Sequence, residues 1–334
     1  MHKYEVISMD LSYIQDIPAD EITLGLQKRD FVDLKDFSVG ELQRFLEVAL
    51  LLKRWQKIGR AHHYLRGKTL AMIFTKASTR TRVSFEVGMY QLGGQALFLS
   101  SQDLQLHRGE TIGDTARVLS RYVDGIMIRT HAHQDVVELA RYSSVPVING
   151  LTDRLHPCQA LASYLTIWEQ KGRLEGINLA YVGDGNNVAH SLVLGAAKVG
   201  VSIRVATPPG YTPNVEIVKL AKEAGRETGS EIVVMEDPRE AVSGADVVYT
   251  DVWASMGQEA ETALRMAAFA NYQVNGELMQ LAQPDAILLH CLPAHRDEEV
   301  ATEIIDGPQS RVFDEAENRL HVQKAIMLLS MGGG

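Results

Sequence analysis

Thr69-Leu70-Ala71-Met72-Ile73-Phe74-Thr75 is an apolar run that leads directly into Lys76-Ala77-Ser78-Thr79-Arg80-Thr81-Arg82, and this stretch decides the reading of the fold. A short, almost continuous apolar run bounded by polar residues is the pattern of a strand covered on both faces, as in a parallel sheet. Ser78 then reads as an N-cap, opening a helix that places Val83, Val87 and Tyr90 on one apolar side. Strand, tight connection and helix in that order make half of a βαβ unit.

Working outward, the same alternation recurs along the whole chain. In the first half, Ala96 to Ser100, Gly125 to Thr130 and Val145 to Asn149 read as further strands, with helix-period segments between them. In the second half, Asn178 to Gly183, Ser202 to Thr207, Glu231 to Met235, Asp246 to Asp251 and Ala286 to Leu292 repeat the pattern. The fold class expected is α/β: two similar domains, each a parallel sheet flanked by helices. The turn-rich Asn149-Gly150-Leu151-Thr152-Asp153 places the boundary near Leu151, and a helix is expected to begin near Pro157. Residues 1–150 then form the first domain and 151–308 the second. A last helix over 309–330, with Val312, Ala316, Leu320, Ile326 and Leu329, is expected to pack back on the first. The 334 residues suit two domains of the usual size of about 150 residues.

Composition removes several classes of function. A formal charge of −9 disfavours a general nucleic-acid partner, although a local basic pocket can still take an anion. The opening Met1 to Asp20 lacks a basic start followed by an apolar run, and no apolar stretch approaches the roughly 20 residues that cross a bilayer, so neither export nor a membrane partner is expected. Only two cysteines, Cys158 and Cys291, are present, which suits a reducing compartment and predicts a cytoplasmic location.

The chemistry concentrates in a few places. A helix start at Ser78 offers backbone N–H groups and the positive end of a dipole, to which Ser78, Thr79 and Thr81 add hydroxyls and Arg80 a guanidinium, together a phosphate cradle. Arg82 points elsewhere and reads as an ion pair with Glu86. Gly183-Asp184-Gly185 after a strand resembles a dinucleotide turn, but Val188 stands where the third glycine of Gly-x-Gly-x-x-Gly would be, which argues against a nicotinamide cofactor. The pairs His131/His133 and His62/His63 lack a supporting Cys/His cluster; they read as exposed histidines, and no metal is expected.

Read together with His156-Pro157-Cys158-Gln159 and His290-Cys291-Leu292-Pro293, the Ser78 to Arg82 segment resembles the aspartate/ornithine carbamoyltransferase family, in a match running from about Leu34 to Leu329. The resemblance implies transfer of a carbamoyl group from carbamoyl phosphate to an amino acid, without a cofactor. It implies that Ser78, Thr79, Arg80 and Thr81 bind the phosphate, that Arg129 and His156 approach the carbamoyl oxygen, and that Gln159 and the Leu292 carbonyl hold its amide. Arg319, in Glu317-Asn318-Arg319, would reach the carbamoyl group; as a lone arginine it would be solvated. The family's trimers imply a homotrimer or an assembly of trimers, with sites at subunit interfaces and Gln105 reaching a neighbour's site. Donors aimed at the carbonyl oxygen, where charge grows during attack, are what this reaction needs.

Asp251-Val252-Trp253-Ala254-Ser255-Met256-Gly257 resembles the Asp-x-x-x-Ser-Met-Gly loop of the ornithine-using branch, and a carboxylate there suits an ammonium and repels a second carboxylate. On this resemblance Asn187 and the Met256 backbone hold the ornithine carboxylate, Asp251 and Ser255 its α-amine. Cys291, paired with Asp251, orients the δ-amine, whose reference pKa of roughly 10.4 keeps it mostly charged. Cys158 reads as structural. Two alternatives remain: a non-catalytic regulatory or interaction relative, and a transferase for putrescine or another amine.

Overall fold

A computed structural model describes residues 26–100, 104, 109–254 and 261–332. Gln105, Ser255 and Met256 lie outside the described residues. The chain divides into two compact units, one running to Leu165 and resuming at Glu317, the other Thr166–Ala316. The division falls inside the helices Pro157–Lys171 and Val312–Met331, each of which contributes to both units.

The first unit holds a four-stranded parallel sheet of β1 (Thr69–Phe74), β2 (Gln95–Ser100), β3 (Gly125–Arg129) and β4 (Val147–Leu151), in the order β2-β1-β3-β4. The second holds a five-stranded parallel sheet of β5 (Asn178–Val182), β6 (Ser202–Ala206), β7 (Ile232–Met235), β8 (Val247–Thr250) and β9 (Ile287–His290), in the order β7-β6-β5-β8-β9. Successive connections leave β1 and β5 toward opposite edges. Each sheet therefore has a switch point, β1/β3 in one and β5/β8 in the other, where a crevice opens beyond the carboxyl ends of the strands.

The helix Thr79–Gln91 does not pack by the side expected of it. Val83 and Tyr90 are exposed, whereas Ser84, Phe85, Gly88 and Met89 are buried. The reason is a close approach of the C-terminal helix: a Cβ on Gly88 would come within 2.8 Å of Met327 Cε and 3.2 Å of Lys324 Cγ. That C-terminal helix is itself covered on every side beyond Asn318, and its buried positions include Arg319, His321, Gln323 and Lys324. A helix with an apolar stripe needs only one covered face. This one buries polar side chains as well, so each requires a partner.

Candidate active site

In the first unit, Ser78 has extended backbone and its hydroxyl accepts from Thr81 N at 3.3 Å, fixing the start of the helix at the carboxyl end of β1. Arg129 is the last residue of β3, where the register with β4 shifts so that Arg129 faces Leu151. Such an irregularity re-aims a side chain. Here it accompanies an arginine that is buried and donates from Nη1 to Thr81 Oγ1 at 3.3 Å. Arg82, by contrast, donates to Glu86 at 3.1 Å, as expected.

Arg319 is buried, contrary to the solvated reading of a lone arginine. Its Nη1 donates to Gln159 Oε1 at 2.8 Å and its Nη2 to Thr81 Oγ1 at 3.4 Å. Thr81 Oγ1 thus faces two guanidiniums with its lone pairs. A hydroxyl has one hydrogen and two lone pairs, so the Thr81 O–H is left to donate outward. His156 precedes Pro157 at the start of its helix, and burial together with Arg319, Arg129 and Arg80 holds its pKa well below the ordinary imidazole value. It is a neutral ring in a strongly positive setting. Cys158 is buried, donates to the Asn149 carbonyl at 3.4 Å and has its thiol pushed up to about 12 by burial, which fits its structural reading.

In the second unit, Asp251 follows β8 and is almost fully buried. Its Oδ1 accepts from Val252 N at 2.8 Å and from the Cys291 thiol at 2.9 Å, and its Oδ2 accepts from Asn186 Nδ2 at 2.7 Å. The Asp251–Cys291 pairing expected from the sequence is present. Asn187 opens the helix Asn187–Val199 beyond β5 and is half-buried. Its neighbour Asn186 is a residue that sequence reasoning missed. The Asn186 side-chain oxygen caps that helix through Val188 N and Ala189 N, while its amide nitrogen holds Asp251, so one residue ties the β5 end to the β8 end. Gly185 permits this turn, because a Cβ there would meet Pro213 N at 2.3 Å and Tyr211 O at 2.6 Å.

Two further groups support these loops. Arg265 bridges Asp184 at 3.0 Å and Glu261 at 3.1 Å and donates to the Trp253 carbonyl at 2.9 Å. Burial outweighs this arginine and pushes the Asp184 carboxyl up to about 6. At the end of β9, the fully buried His290 accepts from Leu292 N through Nδ1 at 2.9 Å, so its proton sits on Nε2, 3.1 Å from Glu299 Oε1. Glu315 accepts from His290 N at 3.0 Å and from the Tyr249 hydroxyl at 2.9 Å. Leu292 has φ +57° and precedes a cis bond to Pro293. With its N–H committed to His290, its carbonyl accepts no hydrogen bond among the described residues.

Ligating atoms of Asp251, His290 and Cys291 come within 4.8 Å of one another, but both nitrogens of His290 are already engaged. Of the paired histidines, His62 is buried rather than exposed, with Nδ1 2.9 Å from the Arg60 carbonyl. His133 is half-buried, its Nδ1 3.1 Å from Thr152 Oγ1. Sequence reasoning also missed Asp184, Arg265, Glu299 and Glu315. The Gly-Asp-Gly turn pointed at the first, whereas the other three are ordinary charged residues whose burial only the fold reveals.

Two parallel α/β units with polar groups gathered at the switch point of each sheet define the class, and the comparisons agree: the chain belongs to the aspartate/ornithine carbamoyltransferase family. Residues 29–169 match its carbamoyl-P binding domain and residues 175–330 its Asp/Orn binding domain. Among its relatives, the ornithine carbamoyltransferase of Thermococcus kodakarensis is 59% identical over 93% of this chain and 99% of its own length. That of Anoxybacillus flavithermus is 60% identical over 92% and 98%. The solved structure of ornithine carbamoyltransferase from Pyrococcus furiosus superposes with a TM-score of 0.90 at 58% identity, covering 92% of this chain and 99% of that one. The one from Thermus thermophilus does so at 0.81 and 41%, covering 95% and 100%.

Proposed function

We propose that this chain transfers the carbamoyl group of carbamoyl phosphate to the δ-amine of L-ornithine, giving L-citrulline and phosphate. The observation that carries the reading is the buried Asp251, held by Asn186 and Cys291 at the switch point of the second sheet. An anionic group there complements the amine of ornithine and opposes the side-chain carboxylate of aspartate.

The phosphate is assigned to Ser78, Thr79, Arg80 and Thr81, at the start of a helix whose first N–H groups favour an anion. Arg129, the Thr81 hydroxyl and neutral His156 donate to the carbonyl oxygen, and their interaction strengthens as charge grows there in the tetrahedral transition state. Gln159 and the Leu292 carbonyl take the amide, and Arg319 joins Gln159 to Thr81. The neutral δ-amine attacks the carbonyl carbon, the C–N bond forms, the bond to the phosphate oxygen breaks, and phosphate leaves with that electron pair. The proton lost by the amine passes toward the Asp251–Cys291 pair or to the departing phosphate. Asn187 and the Met256 backbone receive the ornithine carboxylate, and Asp251 and Ser255 its α-amine.

The same reading places the reaction in arginine synthesis, which the name of the Pyrococcus furiosus relative, an anabolic ornithine carbamoyltransferase, supports. It places the enzyme in the cytoplasm, in keeping with the lack, among the described residues, of any helix long and apolar enough to cross a membrane. It also makes it a homotrimer in which Gln105 serves a neighbour. The exposed apolar side chains of Val83 and Phe98 beside the phosphate cradle support a covered face there.

Steady-state kinetics with ornithine, putrescine and aspartate as acceptors test the proposal. Ornithine should exceed each of the others at least 100-fold in kcat/KM; equal use of putrescine would show that the amino-acid head group is not read.

A further inference from the structure

The segment Cys291 to Ala294 carries two groups that the reading above gives to substrate, the Cys291 thiol and the Leu292 carbonyl, and its shape depends on a residue outside it. Glu299 is fully buried, and its Oε1 accepts from His290 Nε2 at 3.1 Å and from His295 N at 2.6 Å. One carboxylate oxygen therefore ties together the two residues that flank the segment. Glu299 is itself held from outside: its carbonyl accepts from Val274 N at 2.9 Å, and Gln273 Nε2 donates to the carbonyls of Asp297 at 2.9 Å and Glu298 at 3.0 Å. Its Oε2 is buried without a hydrogen bond among the described residues, and His295 Nδ1, at 3.9 Å, is too far to supply one. A half-satisfied carboxylate in the interior is costly, so its place there calls for a specific reason.

That reason lies in the proton of His290. Leu292 N can only donate, so His290 Nδ1, 2.9 Å away, accepts and carries no hydrogen. The single ring proton then sits on Nε2, and Glu299 Oε1 is its acceptor. Either tautomer is open to a neutral imidazole, and the hydrogen bond made by one nitrogen decides the state of the other. Without an acceptor at Glu299 the buried Nε2–H is left unpaired, and moving the proton to Nδ1 sets two hydrogens against each other at Leu292. The Leu292 N–H bond in turn holds a backbone conformation that a residue with a side chain disfavours, since φ is +57°, in the left-handed region. The Leu292 side chain packs against the core of the second unit and its N–H is fixed on His290. Its carbonyl alone is left to accept a bond from elsewhere.

We propose that Glu299 is a positioning residue that, through the tautomer of His290, aims the Leu292 carbonyl and so selects a carbamoyl over an acyl group. The proposal rests on the reading that Leu292 accepts from the substrate amide. The two groups have nearly the same shape, but carbamoyl has NH₂ where acetyl has CH₃, and only the first can donate. A carbonyl aimed at that position is bonded by the one and left unpaired by the other. General damage to the fold weakens both ligands alike, whereas loss of the aim removes the difference between them.

Isothermal titration with two stable phosphonates reads that difference: phosphonoacetamide, which carries the amide NH₂, and acetonylphosphonate, which has a methyl in its place. The proteins compared are the full-length wild type, Glu299→Gln and Glu299→Met. The wild type should bind the amide at least tenfold more tightly. Glu299→Gln keeps an acceptor oxygen and should hold that ratio within twofold, whereas Glu299→Met, of similar length but without an acceptor, should lower it at least threefold. A ratio lowered less than threefold by Glu299→Met, or lowered equally by both variants, would overturn the proposal. A wild type that does not distinguish the two ligands would refute the underlying reading that the amide is recognised, so the two failures are told apart. Should Glu299→Met not fold, a neutron structure of the wild type decides: a deuteron on His290 Nε2 and none on Nδ1 is expected, and one on Nδ1 overturns the relay.

Discussion

Arg319→Met is the sharpest perturbation of the donor-binding half of the site. It removes a 2.8 Å bond to Gln159 Oε1 and a 3.4 Å contact to Thr81 Oγ1, both inside a region from which water is nearly excluded. A hydrogen bond to a charged group contributes roughly 1.5–3 kcal/mol, and the longer contact adds little. The loss is then about 2–3 kcal/mol, or roughly 30- to 150-fold if it falls on the transition state. Arg319→Lys keeps the charge but not the planar fork, and should fall between wild type and Arg319→Met. Citrulline formation, measured with carbamoyl phosphate varied and ornithine saturating, should show kcat/KM for carbamoyl phosphate lowered by that factor, with KM for ornithine within threefold of wild type. If both variants stay within twofold of wild type in kcat/KM, the bridge between Gln159 and Thr81 plays no part in catalysis.

Cys291→Ala removes the thiol that donates to Asp251, and ornithine use should fall at least tenfold while carbamoyl phosphate binding, read by calorimetry, holds; unchanged kinetics would exclude Cys291 from the mechanism. Gly185→Ala forces a Cβ into the backbone of residues 211–213, at a cost of about 1–3 kcal/mol, and should raise KM for ornithine by displacing Asn186 and Asp251; a wild-type KM would show that the turn tolerates the methyl. Asp184 has a folded pKa of about 6 against 3.8 in the unfolded chain. The fold therefore takes its proton first, and this group stabilises the protein progressively as pH falls from about 7 toward 4, by about 3 kcal/mol in all. Asp184→Asn should erase that component, so the stability difference between variant and wild type, followed by urea unfolding, should change across this window and stay flat outside it; a constant difference would refute the shift.

Much of the architecture was legible because parallel strands must be apolar on both faces. Each of the nine strand runs read from the sequence corresponds to a strand, and the small errors fall mostly at the carboxyl ends. There the chain leaves the ladder to present Thr75, Thr130, Gly183, Thr207, Asp251 and Leu292. The packed side of Thr79–Gln91 was not legible, since Val83 and Tyr90 carry the apolar signal while Gly88 makes the close contact. The motifs pointed to Thr81, Arg129, His156, Gln159 and Arg319, which the structure gathers in one unit, and to Asp251, Cys291 and Leu292, which it gathers in the other. The residues that hold them, Asn186, Arg265, Glu299 and Glu315, carry no local signal. A polar side chain on a helix reads as solvated until the surrounding packing is known, and a lysine such as Lys324 is almost never buried without a partner.

The most direct measurement supplies carbamoyl phosphate labelled with ¹³C at the carbonyl, together with ornithine, and follows the label by NMR while phosphate release is counted. The account predicts that the label enters the ureido carbon on the δ-nitrogen of citrulline, with one phosphate released for each. Label on the α-nitrogen, or phosphate released without a labelled amino-acid product, would contradict it.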